Sequence, residues 1–293
     1  MAGWAFLWGT VSDLIFPIIR RTYRFNNILI SNYPFVMKHF TLIVFICGIL
    51  LHCSPQNQSS IVNPSGESVY ERFLPPNGYT RFTVEENSFA QYLRNLDLKP
   101  FENRVRYYDN SIKNKPDVYI SVIDMDIGNR DLQQCADAVM RLRGEYLYQQ
   151  KKYDQIHFNH LSDGKPRYFT DYAGGDYSYN RFRKFMDQIF AYANTSSLHD
   201  EMISVPIVDM QPGDVFIRKG SPYGHAVIVV DMAESESGGK MYLLAQSYMP
   251  AQEIQVLVNR NDRSISPWYE LKDAKIFTPE WTFEASDLKR FVE

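Results

Sequence analysis

Cysteine is scarce in this chain. The 293 residues hold three, Cys47, Cys53 and Cys135, and the first two share one apolar stretch near the N-terminus. A disulfide framework is therefore not expected, and Cys135 is left as the lone thiol of the region expected to fold. The chain also lacks a dominant charge: 31 Lys and Arg stand against 34 Asp and Glu, for a net charge of −3. No basic stripe is interleaved with aromatics, so nucleic acid is not an expected partner. Internal repeats and low-complexity segments are missing too, which argues against a solenoid or an array. No metal or cofactor is expected. His157 and His160 lie three apart on an expected strand and so face opposite ways, with no carboxylate or thiol to complete a set. Gly174-Gly175 lacks the phosphate-loop pattern and reads as a turn. What the chain does have is bulk, with 45% hydrophobic and 15% aromatic residues, enough for one sizeable domain.

The N-terminus reads as a targeting segment. In "MKHFTLIVFICGILLHC" (37–53), Lys38 and His39 give a short basic region and residues 40–51 an apolar one. That run is too short to span a bilayer comfortably and suits a signal peptide. Cys53 directly after it resembles the lipidated cysteine of a bacterial lipoprotein signal. Residues 54–68, polar and rich in Ser, Asn and Gln, suit a flexible tether. Residues 1–36 are then expected to be translation upstream of the true start at Met37. The rival is a membrane helix over 5–19, which has Asp13 inside it and Pro17 near its end. The preferred expectation is a lipid-anchored protein of the bacterial cell envelope, facing the periplasm, with a single domain over 69–293.

Along that domain, residues 79–84 read as a strand after the turn "PPNG", 87–96 as a helix ended by Pro100, and 117–127 as a strand. The strongest helix pattern covers 131–149, with Leu132, Cys135, Ala136, Val139, Leu142 and Tyr146 on one face. Asp131 and Gln134 resemble a capping box at its start, which places Cys135 near the fourth residue. Arg143 falls inside the apolar face. A hairpin is expected over 156–169, turning at Asp163-Gly164, then helices over 180–193 and from Ser197. From 205 onward the chain is β-rich, with strands at 205–209, 214–218, 225–232, 240–248 and 253–258. Helices first and a strand meander last predict an α+β fold, an antiparallel sheet packed against helices.

The stretch "QPGDVFIRKGSPYGHAVIVVD" (211–231) carries the candidate chemistry. His225 opens the most strand-like run in the chain, directly after Gly224. An imidazole at the mouth of a buried strand suits a base presented to a cleft, although a water-exposed strand end would also tolerate one. Cys135 is a candidate nucleophile helped by a helix N-terminus; as a residue type that is usually buried, it is equally a candidate core thiol. If 225–232 and 240–248 pair through "AESESGG", Gln246 comes close to His225 and can orient it, and a one-residue slip would favour Ser247. Tyr168, Phe169, Tyr172, Tyr177 and Tyr179 are either a glycan- or peptide-binding surface or core and rim.

The segments "LQQCADAVMRLRGEYLY" (132–148), "GDVFIRKGSPYGHAVIVVDMA" (213–233), "LLAQSYMPAQEI" (243–254) and "TPEWTF" (278–283) resemble an uncharacterised bacterial lipoprotein family, domain of unknown function 4846. More distantly, a helix bearing Cys followed by "PGDVF" and "GHAVIVVD" resembles the papain-like cell-wall hydrolases of the NlpC and CHAP type. That likeness implies a papain-like core with N-terminal additions. It also implies a cysteine that attacks a peptidoglycan amide, a histidine base and an orienting polar residue, here Cys135, His225 and Gln246. The usual Asp-Cys-Ser pattern is absent, since Gln134 and Ala136 flank Cys135. The expected function is thus a cysteine amidase or endopeptidase acting on peptidoglycan peptides. The alternative is a non-catalytic lipoprotein that binds a wall fragment or a protein partner.

Overall fold

A computed structural model describes residues 60–292; the expected signal segment, Cys53 and residues 54–59 of the expected tether lie outside them. From Ile61 the backbone is tied to the domain, with Leu74 N–H donating to Ile61 O (2.9 Å) and Asn63 N–H to Arg72 O (2.7 Å). Helix α1 (Val69–Arg72) is capped by the Ser68 hydroxyl, β1 is Tyr79–Arg81, and α2 (Phe89–Arg94) is capped by Ser88. β2 (Tyr119–Val122) leads to the long helix α3 (Cys135–Gln149). β3 (His157–Asn159) and β4 (Pro166–Tyr168) form the hairpin expected there, its Gly164 at φ +63°. Three helices follow, α4 (Phe169–Ala173), α5 (Tyr179–Tyr192) and α6 (Thr195–Glu201).

The rest is mostly strand: β5 (Ile203–Ser204), β6 (Val215–Arg218), β7 (His225–Ser235), β8 (Lys240–Gln246), β9 (Gln255–Leu257), β10 (Tyr269–Glu270), β11 (Ile276–Phe277), β12 (Thr282–Phe283) and β13 (Leu288–Arg290). One expected strand is replaced. Residues Ile207–Asp209 form a 3-10 turn, with the Asp209 amide bonded back to Pro206 O, because Pro206 has no N–H to give a ladder.

The main sheet has nine strands in the order β2-β9-β8-β7-β6-β13-β5, with β1 on the far half of β7 and β10 on β8; every pairing is antiparallel. The fold is therefore α+β around a large antiparallel sheet. Its centre is the β7–β8 hairpin, in register at Ile228 with Ala245 and bulged between Val229 and Asp231. Both of its faces are covered. Ala226, Ile228 and Val230 turn toward Ala136, Val139 and the other helix residues, whereas Val227 and Val229 join Phe216, Leu244, Phe283 and Leu288 on the opposite side. Burial on both sides is why 226–230 reads as an unbroken apolar run rather than an alternating one. Asp231, fully buried at the bulge, is held by Arg81 and Arg94 at 2.7 Å each, which ties β1 and α2 to the sheet.

Helix α3 corrects two expectations. It starts at Cys135, four residues later than its pattern suggested. The Asp131 carboxylate is drawn away by the Ala251 amide (2.7 Å) and Gln134 Nε2 (3.0 Å), and the reciprocal cap shifts one turn on, with Gln134 N–H donating to Asp137 Oδ2 (2.9 Å). The helix is also buried all round from Cys135 to Leu147, not along one face. Its polar side is closed by a local network, Arg141 to Glu145 (2.6 Å) and to Gln133 (2.9 Å), with Tyr179 donating to Glu145 (2.8 Å). Arg143 lies over the rings of Phe89, Tyr146 and Phe291 at 5.3–5.5 Å, a cation–π placement. No helix among the described residues is long and apolar enough to cross a membrane.

Candidate functional site

Cys135 is the first residue of α3, where backbone N–H groups have no acceptor within the helix. Its sulfur lies 3.8 Å from Thr195 Oγ1 on α6 and 4.0 Å from Gly224 O. Burial, and then the neighbouring Asp137 charge, push the thiol above its ordinary value, while the Thr195 hydroxyl and the Ala136 and Ala226 amides pull the other way. The sulfur thus touches the backbone on both sides of His225. Gly224 makes that approach possible. A Cβ there would come within 2.4 Å of Arg218 O and 2.9 Å of Thr195 Cγ2, so no other residue fits between β6 and α6.

The thiol sits in the wall of a cavity of about 220 Å³, lined also by Asp131, Gln134, Thr195, Lys219 and Tyr223. Asp137 lines it too. Its carboxyl is pushed up to about 8 by burial, and its Oδ1 has no hydrogen-bond partner among the described residues.

His225 is 1% exposed and is not among the residues lining that cavity. Strand alternation turns its ring to the face opposite α3, against Tyr248 (4.9 Å), Trp281 (5.3 Å) and Phe283 (6.0 Å). Its Nε2 is 2.8 Å from Gln246 Oε1. Gln246 in turn donates from Nε2 to Glu280 Oε2 (2.9 Å), the same oxygen that takes the Lys113 ammonium at 2.7 Å. A carboxylate only accepts, so the amide must offer its oxygen to His225. The ring must then carry its proton on Nε2, leaving Nδ1 as the basic nitrogen. Burial lowers the imidazole pKa to about 4, against smaller opposing effects of Gln246 and Glu280, so the ring is neutral at pH 7.

Of the three expected site residues, the fold brings His225 and Gln246 into direct contact. Cys135 reaches the backbone of Gly224 and Ala226, on either side of His225, but no hydrogen bond joins its sulfur to the imidazole. Ser247 is engaged elsewhere, donating to Gln252 O (2.6 Å), with Gln133 O 3.3 Å away on the α3 side. Among the described residues no group of three His, Cys, Asp or Glu is placed to hold a metal; His157 Nδ1 lies 3.2 Å from Glu201 and His160 stacks on Tyr192. Within the tyrosine-rich segment Phe169 is core, whereas Tyr168, Tyr177 and Tyr179 are exposed. Sequence reasoning missed Lys113, Asp137, Thr195, Glu280 and Trp281. Glu280 and Trp281 lie in "TPEWTF", but nothing local in that motif ties them to His225.

Residues 69–177 and 163–290 match the family model for DUF4846, domain of unknown function (4846). No curated protein and no solved structure matches the chain.

Proposed function

The chain belongs to the DUF4846 family, and on that premise we propose that its domain is a papain-like thiol hydrolase acting on amide bonds of cell-wall peptides. The supporting observation is the His225–Gln246 contact, which makes Nδ1 the lone-pair nitrogen of a histidine whose flanking backbone touches a thiol at a helix start. In the cycle, the thiol and the imidazole first have to close on each other at the mouth of β7; Cys135 Sγ then adds to the amide carbon while its proton passes to His225 Nδ1. The imidazolium gives that proton to the leaving nitrogen as the C–N bond breaks, and a thioester remains. Water then adds to the thioester, His225 takes its proton, and the thiol departs with that proton. N–H groups at the start of α3, which have no acceptor within the helix, suit the developing oxyanion.

The test is hydrolysis of muropeptides by the full chain in detergent, with alkylation of the folded protein alongside. Cys135→Ala and His225→Ala are each expected to lower the rate by on the order of 100-fold or more. Variants equal to wild type, or a Cys135 that reacts only after unfolding, would sink the reading.

A second reading is favoured by one observation: burial holds both the thiol and the imidazole in their uncharged forms, and no bond joins them. Under it the domain binds a wall fragment or a protein partner through the cavity at α3 without catalysis. Either reading goes with a lipid anchor at Cys53 and a place in the cell envelope facing the periplasm. Mass spectrometry of the mature protein is expected to find an acylated Cys53 with nothing upstream; an intact Met1 terminus refutes it.

A further inference from the structure

We propose that Glu280, clamped by Lys113, is a positioning residue that selects the His225 tautomer through Gln246. The argument starts from the shape of an amide. Exchanging the oxygen and nitrogen of Gln246 hardly alters packing, so only polar partners decide which one faces the ring. On one side is Glu280 Oε2, 2.9 Å from Gln246 Nε2; on the other is His225 Nε2, 2.8 Å from Oε1. Without the carboxylate, a flipped amide would present its NH2 to His225 Nε2. That nitrogen would have to accept, and the ring proton would move to Nδ1, the atom required to take the thiol proton.

The clamp is built for fixity. Lys113 is 1% exposed, with Nζ 2.7 Å from Glu280 Oε2 and 3.4 Å from Gln255 Oε1; Lys115 approaches the other Glu280 oxygen at 3.3 Å. The same turn that carries Glu280 places Trp281 on the imidazole, and it is closed by Thr278 Oγ1, which accepts from the Trp281 amide at 3.1 Å. One segment therefore supplies both the wall of the ring and the group that orients it. The inference rests on the hydrolase reading only for its kinetic consequence.

The experiment is nitrogen NMR of the full chain in detergent with labelled histidine, on wild type, Glu280→Gln and the double variant Lys113→Met with Glu280→Leu. Removing both charges at once avoids a stranded buried ion. Wild-type His225 is expected to show a proton-bearing shift at Nε2 and a lone-pair shift at Nδ1. In the double variant the two shifts should converge as tautomers mix, while Glu280→Gln, which keeps an acceptor oxygen, should retain the wild-type pattern. A wild-type ring protonated on Nδ1, which needs no variant to detect, overturns the proposal. So do unchanged shifts in a folded double variant. On muropeptides the double variant is expected to lose kcat by on the order of 10-fold with KM kept. Wild type that shows the expected tautomer but no hydrolysis removes the hydrolase reading and supports the positioning role by itself.

Discussion

The two sides of the β7–β8 hairpin handle buried polar groups in opposite ways. On the His225 side, Lys113, Glu280, Gln246 and His225 form one chain of hydrogen bonds, each donor meeting an acceptor. On the α3 side, Cys135 has only long sulfur contacts, and Asp137 leaves one oxygen unpartnered beside a cavity. A satisfied network in a low-dielectric interior fixes orientation, because any other arrangement strands a donor or an acceptor. A buried polar group left without a partner costs free energy until a water or another polar group meets it. The contrast separates a side whose polar groups are fixed by one another from a side that leaves a carboxyl oxygen open to a cavity.

The sharpest break of that contrast is to cut the satisfied chain at its ion pair. Glu280→Leu strands the Lys113 ammonium and is expected to cost about 3–5 kcal/mol. The double variant with Lys113→Met strands no charge, leaving only the Gln246 amide and Gln255 Oε1 short of a partner, and should cost about 1–3 kcal/mol. Denaturant unfolding of both proteins measures the difference, and equal losses would mean the chain is not a connected unit.

Next comes the pH response. The folded pKa of His225 is lowered to about 4 from 6.5, so between those values the unfolded state binds the extra proton and stability rises with pH. The contribution is complete above about 6.5 and is lost as pH falls through about 4, a span of roughly 3 kcal/mol. Asp137 runs the other way. Its carboxyl is raised to about 8 from 3.8, so its contribution is present at low pH and is lost as pH climbs toward 8. Relative to wild type, His225→Gln is expected to flatten the rise between pH 4 and 6.5, and Asp137→Asn the fall between pH 4 and 8. Unfolding curves across that range with unchanged slopes in the two variants would contradict the assignment.

The smallest effect expected concerns the α3 side alone. The Asp137 charge is the second cause, after burial, of the raised Cys135 thiol. Asp137→Asn keeps an oxygen to cap the Gln134 amide and removes the charge, so alkylation of Cys135 at pH 8 should accelerate about 2–5-fold. A rate equal to wild type would show that burial alone governs the thiol.

What the sequence by itself determined is local and periodic. The run at 225–232 and the connection "AESESGG" point to a hairpin and narrow the partner of His225 to Gln246 or, slipped by one, Ser247; the register of Ile228 with Ala245 in the folded sheet decides for Gln246. The hydrophobic pattern of α3 and the Asp163-Gly164 turn were legible for the same reason. The tertiary structure decided everything that depended on a partner far along the chain. The start of α3 moved because the Ala251 amide, 120 residues from Asp131, claims that carboxylate. The anchor of the His225 chain pairs Lys113 with Glu280 across 167 residues, and no periodicity reports such a meeting. The face on which the imidazole leaves the strand was likewise hidden, since a strand buried on both sides gives no polar alternation to mark inside from outside. Local propensity reaches a few residues, whereas the placement of a charge in a low-dielectric interior is set by whichever opposite charge the packed fold delivers to it.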